Sequence, residues 1–303
     1  MEVRRNSFRA WILAARPKTL SGALIPVIVA GALAACSRVC SRRALIICAI
    51  FAALMQVAAN LINDLFDYLK GTDRDDRLGP ERACAQGWIT PRAMKRGIAV
   101  VLALALICGT LILFFSQISN FKFQISMVAL GAACVLFAFL YTTILSYAGM
   151  GDLLVLVFFG LVPCCGTYFA ATGSLTGEAW LAGFCCGVLI DTLLIINNYR
   201  DRNTDRLSGK HTLIATLGEP FGRWFYLACG LAAWLLTWGF VPNHGLWAPL
   251  LTTPYLLLHT TTWRQMVRIH EGRELNRILG RTSRNMLIFG LLLAAAISLG
   301  IKI

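Results

Sequence analysis

The sequence predicts an all-α, polytopic membrane protein: nine transmembrane helices bundled around a central cavity, N-terminus in the cytoplasm, residues 1–303 forming one domain. Three observations carry this. The chain is 57% hydrophobic and only 14% charged, with a mean hydropathy of +0.67, values typical of chains whose solvent is lipid. Apolar runs of about 20 residues, the length a helix needs to cross the hydrocarbon, recur along it. Finally, 23 of the 28 lysines and arginines fall on one side of the topology those runs define, the asymmetry of cytoplasmic loops.

The spans lie at 19–36, 44–66, 97–116, 123–141, 151–172, 179–199, 222–241, 245–263 and 285–302. They lack the two-residue alternation of barrel strands, so helices must satisfy the backbone groups that lipid cannot. The N-terminus is basic (Arg4, Arg5, Arg9, Arg16, Lys18), and the apolar stretch after it is too long for a cleaved signal. Loops after the second, sixth and eighth spans hold the other cytoplasmic cations. Arg38, Arg42, Arg43, Lys122 and Lys302 are the five on the opposite side. The net charge of +13 therefore reflects membrane orientation, and no nucleic-acid partner is expected. The eleven cysteines show no metal-ligand spacing. Cys164-Cys165 and Cys185-Cys186 read as packing residues, while Cys36 and Cys40 flank a loop where a disulfide could form. Oligomeric state is left open.

Two polar clusters interrupt the apolar pattern. Asn60, Asn63, Asp64 and Asp67 end the second span, and Asn197, Asn198, Asp201 and Asp205 end the sixth. At 100° per residue each set falls within about 100° of arc on one helix face. A carboxylate near the membrane core costs roughly 2.5–3.5 kcal/mol, less at the interface, and four together repel. Hard divalent cations with oxygen ligands offset this, and Mg2+ ordinarily takes one or two carboxylates and shares the rest with substrate phosphates. Just beyond the acids lie Lys70, Arg77, Arg82 and Lys210, placed to clamp a diphosphate. The two segments also share a weak internal repeat: apolar helix, Asn-Asn/Asp pair, Asp, basic Gly-containing loop.

These pieces resemble the UbiA-type intramembrane aromatic prenyltransferases, most closely the 1,4-dihydroxy-2-naphthoate polyprenyltransferases of menaquinone biosynthesis. The matching residues are Ala15-Arg16-Pro17-Lys18-Thr19-Leu20, Asn60-x-x-Asn63-Asp64-x-x-Asp67, Lys70-Gly71-Thr72-Asp73 and Arg77-x-Gly79-Pro80-x-Arg82. They continue with Tyr141-Thr142, Gly149-Met150-Gly151-Asp152, Asn197-Asn198-Tyr199-Arg200-Asp201-x-x-x-Asp205 and Gly209-Lys210-x-Thr212-Leu213. The resemblance implies two Mg2+ ions, a polyprenyl diphosphate donor and an aromatic acid acceptor in the bilayer, with decarboxylative transfer giving demethylmenaquinol. It implies a cell-membrane location, with the active site open to the cytoplasm. By family position Asn63, Asp64, Asp67, Asp73, Asp201 and Asp205 are the metal set. Asn60, Lys70, Arg77, Arg82, Asn197, Asn198 and Lys210 bind diphosphate. Asp67, Asp201, Asp152 and Tyr141 act in catalysis, Asp152 by orienting or deprotonating the naphthol and Tyr141 through its ring face.

The chain departs from the pattern between Tyr141 and Asp152, which is short and carries no Lys or Arg. Leu145 stands where many relatives have lysine. Asp191, two heptads before Asp205 and about 21 Å deeper, is outside the pattern and is expected either to contact a polar pocket or to be a protonated, hydrogen-bonded structural residue. Other acceptors (4-hydroxybenzoate, homogentisate, haem) remain open. A transporter is disfavoured, because its acids would lie near the midplane of broken helices.

Overall fold

The computed structural model describes residues 3–71, 78–117, 120–140, 145 and 147–300, and among these every regular element is helical. In order they are α1 (Phe8–Ala15), α2 (Leu20–Ala35), α3 (Arg42–Leu69), α4 (Pro91–Phe115), α5 (Phe121–Leu140), α6 (Gly151–Thr172), α7 (Gly177–Leu207), α8 (Leu213–Leu217), α9 (Glu219–His244), α10 (Trp247–Thr252), α11 (Pro254–Ile269) and α12 (Leu275–Leu299). Seven stretches are long and apolar enough to cross a membrane: α1 with α2, α3, α4, α6, α7, α9 and α12. The fourth expected span is the 20-residue helix α5, Phe121–Leu140, and the eighth is helical but broken. The 245–263 stretch divides into α10 and α11, where Pro254 supplies no N–H and crowds the preceding turn.

Helix ends follow local chemistry. The side chains of Ser41, Thr90 and Thr176 accept N–H bonds from Ala44, Ala93 and Ala179 at the starts of α3, α4 and α7, the usual N-cap arrangement. The α7 helix is the hub: 67% of its apolar window is buried, against 17% for the peripheral α4. Its partner α6 approaches unusually closely. A Cβ on Gly160 would lie 2.5 Å from both Gly183 O and Gly187 Cα, and Leu156–Leu161 relaxes into a π-helical turn there. All eleven cysteines are free, Cys36 and Cys40 included, so the disulfide that their spacing allowed is absent.

Helix length places the acid clusters. From Gly177 about 20 residues span 30 Å, the hydrocarbon thickness, so α7 emerges near Asn197 and carries its acids on the overhang. The same count from Arg42 brings α3 out near Asn60.

Candidate active site

A cavity of about 1120 Å3 runs between α2, α3, α4, α5 and α6. Its walls are apolar, with Phe51, Met55, Leu102, Met127, Phe137 and Phe158 among them, and one end is polar: Arg16, Lys18, Gln56, Asn60, Asn63, Arg82 and Asn197. Long apolar walls ending in amides and cations suit an amphiphile whose head is anionic.

The first cluster divides its arc among three tasks. Asn60 Nδ2 donates to Ala15 O at 2.9 Å and Thr19 Oγ1 at 3.0 Å, tying α3 to the turn before α2. Asp64 is 1% exposed and accepts from Ala83 N at 2.8 Å and Cys84 N at 2.9 Å, one bond on each oxygen. It anchors the loop that presents Arg82. Asp67 then pairs with Arg82 Nη2 at 2.7 Å, and Asn63 faces the cavity.

The second cluster is neutralised largely from within. Arg200 grips Asp201 with two bonds, Nε–Oδ1 at 2.7 Å and Nη2–Oδ2 at 2.6 Å. It also donates to Asn197 Oδ1 at 2.7 Å and Asn276 Oδ1 at 2.8 Å. Asn276 in turn donates to Leu78 O at 2.8 Å, joining the second cluster to the loop of the first. Lys210 Nζ lies 3.7 Å from Asp205 Oδ1. Asn198 and Lys210 line a small cavity with Asp152, Leu194, Gly149, Gly151 and Thr212.

Tyr147 stands between the clusters. Lys70 Nζ lies 4.5 Å from its ring centroid, and its carbonyl accepts from His211 N at 3.0 Å. Burial first, then the carboxylates of Asp67 and Asp205, hold its hydroxyl above the ordinary phenol range, so it remains a neutral donor. Gly149 makes this turn possible, with φ +74 and His211 O only 2.4 Å from where a Cβ would sit.

The fit to a hard cation rests on Asp205. Its Oδ2 is buried without a hydrogen-bond partner among the described residues, a vacancy that costs roughly 1–3 kcal/mol or more and that a cation would relieve. Among the described residues no three Asp, Glu, His or Cys side chains converge as a cage. That is compatible with Mg2+, which keeps few protein ligands and completes its shell with water and phosphate.

Asn63, Asp67, Asp205, Arg82, Lys70 and Lys210 thus gather around one end of the bundle, with Asn60, Asn197 and Asp201 held beside them. Asp64 is turned onto a loop. Asp191 is buried but lines neither cavity. It faces Asp152 closely enough for the two carboxylates to interact, and its Oδ1 has no hydrogen-bond partner among the described residues. Asp73, Arg77 and Tyr141 lie outside the described residues. Sequence reasoning missed Tyr147, Arg200 and Asn276. Arg200 sits three residues after Asn197 and beside Asp201, a readable signal. Asn276 had none.

The fold and this end of it define a multi-pass helical membrane protein with an apolar cavity that ends in amides and cations, Arg82 among them paired to Asp67. The chain belongs to the UbiA prenyltransferase family, whose model matches residues 23–289. It is 33% identical over 298 residues to the 1,4-dihydroxy-2-naphthoate octaprenyltransferase of Escherichia coli, covering 96% of each chain. It is 32% identical to the enzyme of that name from Mycobacterium tuberculosis, covering 97% of this chain and 98% of that one. Among solved structures it resembles the apo UbiA homolog of Aeropyrum pernix (TM-score 0.68, 20% identity, 90% and 97% of the two chains). It also resembles the Archaeoglobus fulgidus homolog bound to GPP and Mg2+ (TM-score 0.63, 16% identity, 95% and 99%). The protein is accordingly a prenyltransferase.

Proposed function

We propose that the enzyme transfers a polyprenyl group from polyprenyl diphosphate to 1,4-dihydroxy-2-naphthoate, releasing diphosphate and CO2 and giving demethylmenaquinol. The observation that carries this reading is the apolar cavity whose polar end holds Asn63 and Arg82 from the first cluster's side and Asn197 from the second. The names of relatives one-third identical over nearly the whole chain support the acceptor. The topology that goes with it is nine crossings, α5 and the α10–α11 pair supplying the two beyond the seven long stretches. The N-terminus and the acid clusters are on the cytoplasmic side of the cell membrane, a placement the charge distribution supports.

Asn63, Asp67, Asp201 and Asp205 would hold Mg2+, two ions by the resemblance, with Asp73 as a further candidate. Bound there, Mg2+ supplies the positive charge that favours departure of diphosphate. Arg82, Lys70 and Lys210, with Arg77, neutralise the departing oxygens. The prenyl chain lies along the apolar walls, which keep water from the allylic cation as it forms. Asp152 orients the naphthol or accepts its proton, and Tyr141 lies in the loop just before it.

The test is purified protein in nanodiscs with Mg2+, a labelled polyprenyl diphosphate and a panel of aromatic acceptors. Prenylated, decarboxylated naphthoquinol is the expected product. Transfer to 4-hydroxybenzoate or homogentisate but not to dihydroxynaphthoate would replace the acceptor.

A further inference from the structure

The large cavity runs from its polar end to a closed floor. Cys48 stands twelve residues before Asn60 on α3, about 18 Å deeper, and there the walls converge. Val27 of α2, Cys48 of α3 and Ile112 of α4 line the cavity, yet none is more than 6% exposed. They form one packed cluster with Ala170 of α6, and Met127 of α5, also on the cavity wall, packs against it. Each of the five helices around the cavity thus contributes a residue to its floor.

Two glycines keep the bore clear at the level of this floor. Gly109 precedes Ile112 by three residues on α4, and Gly166 adjoins Thr167, a buried wall residue of α6. A Cβ on Gly109 would meet nothing within 4 Å, and one on Gly166 would meet only Leu130 Cδ2 at 3.9 Å, an ordinary contact. Neither glycine has a positive φ. Glycine weakens a helix interior relative to alanine, and here neither close packing nor backbone geometry asks for it, in contrast to Gly160. What both positions supply is room.

We propose that this floor is the gauge of donor length: the prenyl tail runs down the apolar bore past Gly109 and Gly166, and its last contained isoprene rests on Val27, Cys48 and Ile112. The inference rests on the reading that the large cavity takes the tail of a polyprenyl diphosphate. Down to the floor, each added isoprene gains close apolar contact with the walls. Beyond it the tail must fold back or leave the cavity, and the gain stops. Selection by length then follows from the position of a wall, with no polar contact to the tail.

The experiment measures kcat/KM for donors from geranyl to decaprenyl diphosphate in wild type, Gly166→Ala, Gly166→Leu and Gly109→Leu. The acceptor is whichever ring the panel above identifies, so an error over the acceptor does not decide the outcome. Wild type should show an optimum length. Gly166→Leu should move it to shorter donors: kcat/KM for the long ones falls roughly tenfold or more, while that for geranyl diphosphate stays within about twofold. Gly166→Ala should fall between, and Gly109→Leu, on another helix, should reproduce the shift. Transfer from the short donors shows that the variants are folded. An unshifted length profile in the active variants overturns the gauge, and is what a tail leaving between Leu106 of α4 and Val128 of α5, both exposed on the cavity wall, would give. Equal losses at every length overturn it too. A wild type that transfers no prenyl group of any length to any ring overturns the functional reading itself.

Discussion

The two acid clusters look alike in sequence and are held in different ways. On α3 the acids spread outward: Asp64 onto backbone amides, Asp67 onto Arg82, Asn60 onto the turn before α2. On α7, Arg200 closes over Asp201 and Asn197 from the same helix, and Asp205 keeps one buried oxygen without a hydrogen bond among the described residues. One cluster builds the surrounding loop while the other is packed in advance around an incomplete carboxylate. A motif of the same residue types can therefore divide structural and ligand-binding work differently in its two copies.

The largest effects should separate ligand-binding acids from loop-building ones. Asp205→Asn and Asp67→Asn should each lower kcat by about 10²–10³-fold and raise the Mg2+ concentration for half-activity, with little change in melting temperature for Asp205→Asn and a fall for Asp67→Asn, which leaves buried Arg82 without its counter-charge. Normal turnover in both would break the comparison at its centre. Asp64→Asn should do the reverse. An amide offers a single acceptor and turns a donor against a backbone N–H, so stability should fall by about 1–3 kcal/mol while the Mg2+ half-saturation stays put. Thermal unfolding and a Mg2+ titration on one preparation distinguish the cases.

A smaller effect belongs to the link between clusters. Asn276→Ala removes the bridge from Arg200 to Leu78 O. It should cost about 1 kcal/mol and raise the KM for the diphosphate donor a few-fold, read by steady-state kinetics at saturating acceptor. Smallest is Asp191→Asn, which should lower kcat by roughly two- to fivefold, under about 1 kcal/mol, through its neighbour Asp152. Full activity with unchanged chain-length preference would leave Asp191 a structural residue.

Much of the architecture was readable before any coordinates. The seven long spans stand out because lipid demands unbroken apolar helices, and the acids stand out because they are expensive there. The 245–263 stretch departs from expectation: the break before Pro254 and the polar residues after it leave α11 outside the helices long and apolar enough to cross. Residue type and spacing single out Asp64, Asp67 and Asp205 alike as candidates, but they could not show that Asp64 is bonded to the backbone of a loop. A hundred-degree arc does not say which edge meets a loop. Asp191 followed the α7 stripe of Asn198 and Asp205, yet it turned to Asp152 instead of a cavity.

The sequence by itself determined the solvent, the helical class, the family and the two acid clusters, because each depends on composition or short-range spacing. Tertiary structure alone decided which carboxylates are occupied by the protein's own donors. Asp64 meets amides 19 and 20 residues away, Asn276 reaches Leu78 across 198 residues, and Tyr147 meets Lys70 of the first loop and His211 beyond the second cluster. Such pairings depend on how helices pack, and no local period along the chain encodes them.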